Sequence, residues 1–256
     1  MKLLKKTAAA LCAALTISAA AFAAPLAPEL QIDILTKTAM VYDGWFVLPE
    51  REKNSDEWRY AITDLDRNGR LEVVKVRRGW AEGGPRLLVK ELTGDGKGLA
   101  GEIALGGISV PDILATQDPS GQPLTTLYDA KNNLYHYIFQ ENVYNTEYEL
   151  TTTKYALTFA DGMLYVTRLA SYEKIMSGYD GSTRERYYLP QQGNDAVVEI
   201  DAARYDRIEL EEFPGCTPKP VAFRWMSAED LKNAAAEGRL RETLAASFVS
   251  FQESGN

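Results

Sequence analysis

The chain has 256 residues, with 36 acidic against 28 basic side chains and a net charge of −8. An acidic surface repels nucleic acid and anionic lipid and attracts cations, so no nucleic-acid partner is expected. With two cysteines and one histidine, a multi-histidine zinc site is excluded, and the fold must stand on its core.

In chain order, the first element is MKLLKKTAAALCAALTISAAAFAAP. Lys2, Lys5 and Lys6 precede an alanine-rich apolar run, and Ala21-Phe22-Ala23 fits the small-x-small cleavage rule. Residues 1–23 are therefore expected to be a cleaved signal peptide, sending the product to the periplasm or the exterior with no membrane insertion afterwards. Cleavage removes three lysines and no acid, leaving 25 basic against 36 acidic residues and a net charge of −11. Only Cys216 survives, so no intramolecular disulfide is possible. Its loop, PGCTPKP, contains no histidine, and the thiol is expected to be inert.

Residues 24–256 are expected to form a single β-rich domain with a helical segment from about 201. The run Pro28–Tyr42 places Leu30, Ile34, Thr38 and Val41 at three- and four-residue steps, which predicts a helix docked by that face. Strands are predicted around Tyr60–Thr63, Leu71–Arg77, Arg86–Leu92, Leu134–Gln140, Tyr148–Phe159 and Met163–Leu169, from their β-branched and aromatic content. The breaks at Glu82–Pro85, Gly94–Gly96, Pro119–Gly121, Asp129–Asn133 and Asp161-Gly162 leave no room for crossover helices, so the pairing is expected to be antiparallel. TKYALTFADGMLYVTRL is the clearest hairpin, turning at Asp161-Gly162.

Helical signals return late. Asp201 precedes AARYDRIELEEF, where Tyr205, Ile208 and Glu212 sit at helical steps before Pro214-Gly215. Ser227 to Asp230 has the form of a capping box opening a helix that runs to Gly238. Leu240, Leu244, Phe248 and Phe251 line one face of a last helix. The expected class is α+β: an antiparallel β-rich domain with one helix in front and two to three behind.

One stretch carries chemistry. In YAITDLDRNGRLEVVKV, Asp64, Asp66 and Asn68 alternate, Gly69 allows a sharp turn, and Glu72 follows three residues later. Calcium takes six to eight oxygens, and alternate-residue acidic loops supply them. Counting from Asp64, the carbonyl of Arg70 falls at position 7 and the carboxylate of Glu72 at position 9. Position 12 is Lys75 rather than the bidentate Glu of the helix-flanked calcium loop, and the flanks are strand-like. A tight hairpin at Asn68-Gly69 is the competing reading. It would set Arg67 opposite Arg70, Asp64 opposite Val73 and Ile62 opposite Lys75, mixing buried and charged residues on each face. A longer loop with Asp64, Asp66, Asn68 and Glu72 turned inward removes that conflict. Arg67 and Arg70 could neutralise the acids without metal, so the affinity is expected to be modest, roughly 10⁻⁴–10⁻³ M.

The segment resembles the calcium-loop strand unit of FG-GAP and VCBS-type repeats, and still more the single-copy form in uncharacterised exported bacterial proteins. LLVKELTGDGKGL and IDAARYDRIELEEF are similar to flanking parts of the same pattern. FG-GAP propellers use several blades, whereas this chain holds one full copy. The resemblance implies Ca²⁺ binding at Asp64, Asp66, Asn68, Arg70 and Glu72, and implies no activity.

Other chemistry is sparse. His136 lies on a predicted strand beside Tyr135 and Tyr137 and is expected to be a face residue. Glu141, Glu147 and Glu149 could supply a carboxylate pair for glycoside cleavage, and tyrosines and tryptophans could stack on sugars. The expectation is a non-enzymatic exported protein with Ca²⁺ as a structural clip and a cell-surface protein or glycan as partner. The alternative is a secreted carbohydrate-active hydrolase or glycan-binding module.

Overall fold

A computed structural model describes residues 25–40, 45–46, 58–77, 86–101, 122–160, 162–178, 180–190 and 197–253. The leader at 1–23 lies outside these residues, as do Val41, Asp161 and the breaks at 82–85 and 119–121. The class is α+β, with two antiparallel sheets, a helix in front and helices behind, as the sequence predicts.

Helix α1, Pro28–Ala39, is followed by β1 (Trp58–Thr63), β2 (Glu72–Arg77) and β3 (Arg86–Glu91). These three strands and the short β11 (Met226–Ser227) make a four-stranded sheet in the order β11-β1-β2-β3. The seven-stranded sheet runs β10-β4-β5-β6-β7-β8-β9. Its members are β4 (Thr125–Asp129), β5 (Leu134–Thr146), β6 (Glu149–Ala160), β7 (Met163–Met176), β8 (Thr183–Pro190), β9 (Val197–Ile200) and β10 (Thr217–Pro218). Between β9 and β10 lie α2 (Ala202–Tyr205) and α3 (Ile208–Glu212), and after β11 come α4 (Ala228–Ala236) and α5 (Leu240–Glu253).

The four-stranded sheet is buried on both faces. Trp58, Tyr60, Ile62 and Val73 point to a cluster shared with Ile32 and Leu35 of α1, Leu231 of α4 and Leu240, Leu244 and Phe248 of α5. The alternate residues Ala61, Val74, Val76, Leu87 and Val89 pack with Tyr137, Phe139, Leu157 and Phe159 of the large sheet, with Phe251 at the end of α5 joining them. The period-2 alternation thus serves two cores at once. On the far face of the large sheet, Ile138, Ala156, Leu169 and Ala170 receive Tyr205 and Ile208. There Lys154 donates to the Tyr205 carbonyl at 3.0 Å and pairs with Glu209 at 3.2 Å, pinning α2 and α3.

The β6–β7 hairpin pairs Ala160 with Met163, as predicted, and Gly162 takes φ +70°. The Ser227–Asp230 capping box forms with both its hydrogen bonds, and Gly238 at φ +70° separates α4 from α5. The predicted face of α5 is buried at Leu240, Leu244, Phe248 and Phe251.

Two helix readings are corrected. The buried face of α1 is Gln31, Ile32, Leu35 and Ala39, while Leu30 is 52% exposed. The rotation follows from Gln31, a polar residue whose amide is used by the neighbouring loop. The segment after Asp201 is two short helices rather than one. The Asp201 side chain caps the first by accepting from the Arg204 N–H at 2.7 Å. The Arg207 N–H then bonds three residues back to the Arg204 carbonyl, tightening and ending that turn. Among the described residues no helix is long and apolar enough to cross a membrane.

Candidate metal centre

The β1–β2 register is Thr63 opposite Glu72, Ile62 opposite Val73 and Tyr60 opposite Lys75. This differs by two positions from a hairpin turning at Asn68-Gly69. Residues 64–71 therefore form the connection, and each strand keeps clean faces. Arg67 takes φ +57° and Gly69 φ +83°, left-handed conformations that let the short loop curl back on itself. An alanine-sized side chain at Gly69 would meet the Pro25 ring at 2.8 Å, a second reason for glycine there.

Carboxylate oxygens of Asp64, Asp66 and Glu72 lie within 4.8 Å of one another. Glu72, the first residue of β2, is 0% exposed. Its Oε2 accepts from the Leu65 N–H at 2.8 Å and the Thr63 hydroxyl at 3.0 Å. Its Oε1 is buried with no hydrogen-bond partner. The Asp64 carboxylate accepts from the Gly69 N–H at 3.1 Å. Asp66 accepts from the Asn68 N–H at 3.2 Å and the Asn68 amide at 3.0 Å.

Burial and mutual repulsion load this cluster with proton affinity. Burial first, then the Asp66 charge, pushes Asp64 up to about 6. Burial raises Asp66, and burial with the charges of Asp64 and Asp66 raises Glu72 well above the ordinary carboxylate range. Desolvation disfavours the ionised form, and like charges in contact reinforce it.

The two arginines of the loop turn elsewhere. Arg70 pairs with Glu91 of β3 at 2.8 Å. Arg67 lays its guanidinium over Phe251, 4.3 Å from the ring centroid, and over Tyr135 at 5.4 Å, with Nε and Nη2 buried and unpartnered. Its charge lowers the Asp64 pKa only as a lesser effect. Asn68 is brought to the loop interior with a different assignment from the expected ligand. Its Oδ1 accepts from the Arg70 N–H at 2.7 Å, and its Nδ2 donates to Asp66 and to Glu91 at 2.6 Å. The Arg70 side chain faces Glu91, and the expected contribution of this residue was its carbonyl.

Sequence reasoning missed the residues that hold the loop. Gln31 of α1 donates to the Gly69 carbonyl at 2.7 Å and accepts from the Leu71 N–H at 2.8 Å. Tyr137 of β5 donates to the Leu65 carbonyl. Only a glutamine on the apolar side of a helix signalled the first, and nothing local signalled the second. Cys216, whose own loop contains no histidine, meets one from elsewhere in the fold. Pairing of β10 with β4 brings it within 4.8 Å of both Asp129 and His136. Of the other acids considered, Glu141 accepts from the Tyr155 hydroxyl at 3.1 Å, and Glu147 is exposed in the β5–β6 turn.

In comparisons with known proteins, no family model matches the chain, and no curated protein or solved structure matches it either.

Proposed function

We propose that this is an exported, non-enzymatic protein in which the loop Asp64–Glu72 binds Ca²⁺ as a structural clip. The observation that carries the reading is Glu72: a fully buried carboxylate with an unpartnered Oε1, clustered with Asp64 and Asp66. A buried carboxylate lacking a counter-charge must take up a proton or a cation, since leaving it ionised and alone is costly. Three carboxylates and no nitrogen or sulfur donor suit a hard cation, and a loop of this length suits Ca²⁺ better than the smaller, octahedral Mg²⁺. Asp64, Asp66 and Glu72 are the anionic ligands. The Asn68 amide oxygen and the Arg70 carbonyl complete the set once the amide turns over. Arg70 is already neutralised by Glu91, which removes one competitor for the acids.

The likeness of residues 60–76 to the FG-GAP and VCBS calcium-loop unit supports the same reading, as a single copy. The clip would tie β1, β2 and, through Gln31, α1 into one unit. The basic, apolar start of the chain supports export to the periplasm or exterior, where calcium is plentiful and a cell-surface protein or glycan is the partner.

Calorimetric titration of Ca²⁺ into chelator-stripped protein tests the proposal. Binding heat is expected in the parent and is expected to vanish in Asp64→Ala and in Asp66→Ala. No heat in the parent, together with a thermal midpoint unmoved by millimolar Ca²⁺, would overturn it.

A further inference from the structure

We propose that Asp129, His136 and Cys216 form a second cation site, for a borderline-soft transition metal of the Zn²⁺ class, on the face of the large sheet covered by α3. The three residues are scattered in sequence and are joined by strand register. Leu127 pairs with His136, so Asp129, two residues along β4, projects from the same face as His136. Thr217 pairs with Tyr128, and extending that antiparallel register by one sets Cys216 across from Asp129. One donor atom from each lies within 4.8 Å of the other two. Tetrahedral zinc with sulfur, nitrogen and oxygen ligands needs them about 3.4–3.6 Å apart, which small side-chain rotations supply.

The histidine is already oriented. Its Nδ1 bonds the Thr158 hydroxyl at 2.7 Å, which leaves Nε2 as the nitrogen for a metal. Phe213 stacks on the ring at 3.9 Å between centroids and an interplanar angle of 15°. A metal-bound imidazole characteristically hands its other nitrogen to an oxygen acceptor in this way. Asp129 is oriented too. Its oxygens accept from the N–H groups of Lys131 and Asn132 at 2.9 and 3.2 Å, and from the Asn132 amide at 2.6 Å. Those bonds fix the carboxylate beside His136 and Cys216.

Donor chemistry separates this site from the calcium loop. Thiolate and imidazole select zinc-like metals, whereas hard cations take oxygen. On binding, the Cys216 thiol yields its proton to solvent and forms the metal–sulfur bond. One thiolate and one carboxylate then balance a divalent charge. Three protein ligands leave the fourth position for water, the arrangement of an accessible rather than a closed zinc site.

The test uses the full chain, reduced and chelator-stripped, with Ca²⁺ present to occupy oxygen-only sites. Titration with Co²⁺ is expected to give a thiolate-to-cobalt charge-transfer band at one ion per chain, displaced by Zn²⁺. Zn²⁺ is expected to slow alkylation of Cys216 at least tenfold. Cys216→Ser, at a half-buried position, should abolish the band. Thr158→Val, which keeps every ligand, should weaken Zn²⁺ about 10–100-fold. Asp64→Ala should leave the band unchanged. Absence of the band in the parent, or His136→Ala binding Co²⁺ as tightly as the parent, would overturn the proposal.

Discussion

The β1–β2 loop and the Thr93–Gly98 turn sit at the same end of the four-stranded sheet, where Thr63, Glu72 and Glu91 stand side by side. Both are built on the same local device, an aspartate accepting the N–H two residues on. Asp66 does so from Asn68 at 3.2 Å, and Asp95 from Lys97 at 3.1 Å. Their proton affinities nevertheless shift in opposite senses. Asp95 is in water, where the Thr93 hydroxyl and Lys97 hold it down at about 2. Asp66 and Asp64 are half-buried beside the fully buried Glu72, where desolvation outweighs the same hydrogen bonds. An acidic turn motif therefore says little about charge until its cover is known.

The largest expected effect on this contrast is on pH dependence without metal. Asp64 has a folded pKa of about 6, above its ordinary value of 3.8. Its contribution is therefore fully present below about pH 4 and lost as pH rises through about 6, amounting to about 3 kcal/mol. Urea unfolding in chelator at pH 4 and pH 7 measures this, and Asp64→Asn should reduce the difference, leaving the part that Asp66 and Glu72 carry. Asp95 has the opposite sign: its contribution is present above the ordinary carboxylate range and lost as pH falls through about 2. If the parent and Asp64→Asn show the same profile, the burial argument fails.

Next in size is the response to calcium. At one hundred times its Kd, Ca²⁺ should stabilise the parent by about 2.7 kcal/mol. Glu72→Gln should show none of this while being at least as stable as the metal-free parent. The amide keeps an acceptor for Thr63 and Leu65 and removes the buried charge. A calcium response that persists in Glu72→Gln would remove Glu72 from the ligand set.

Gln31→Ala should cost about 2 kcal/mol, seen as a lower urea midpoint at unchanged slope, because it strands the Leu71 N–H and the Gly69 carbonyl. A cost below about 0.5 kcal/mol would show that α1 does not hold the loop. Smallest of all, Asp95→Asn should leave the urea midpoint nearly unchanged and calcium binding intact. A calcium deficit there would make the two loops one site.

The sequence by itself determined most of the local architecture. β-branched and aromatic content marked strands around Tyr60–Thr63, Leu71–Arg77, Arg86–Leu92, Leu134–Gln140, Tyr148–Phe159 and Met163–Leu169, whereas β4, β8, β9, β10 and β11 were not legible and β5 and β7 run further than their sequence signal. The Ser227–Asp230 box, the Gly238 break and the Leu240–Phe251 stripe were legible because caps and helical periods act within a few residues. The acids of the loop were legible as well, since their spacing lies within nine positions. What tertiary structure decided is everything set by cover and register. Gln31 turned the face of α1, because its amide satisfies backbone groups about forty positions away. Phe251 and Tyr135 drew Arg67 over their rings, and Glu91 captured Arg70, leaving the carboxylates to one another. Pairing of β10 with β4 brought Cys216 to His136, eighty positions apart in sequence. Burial and long-range pairing are properties of the assembled sheets, and they set whether an aspartate in a turn keeps its charge or seeks a partner for it.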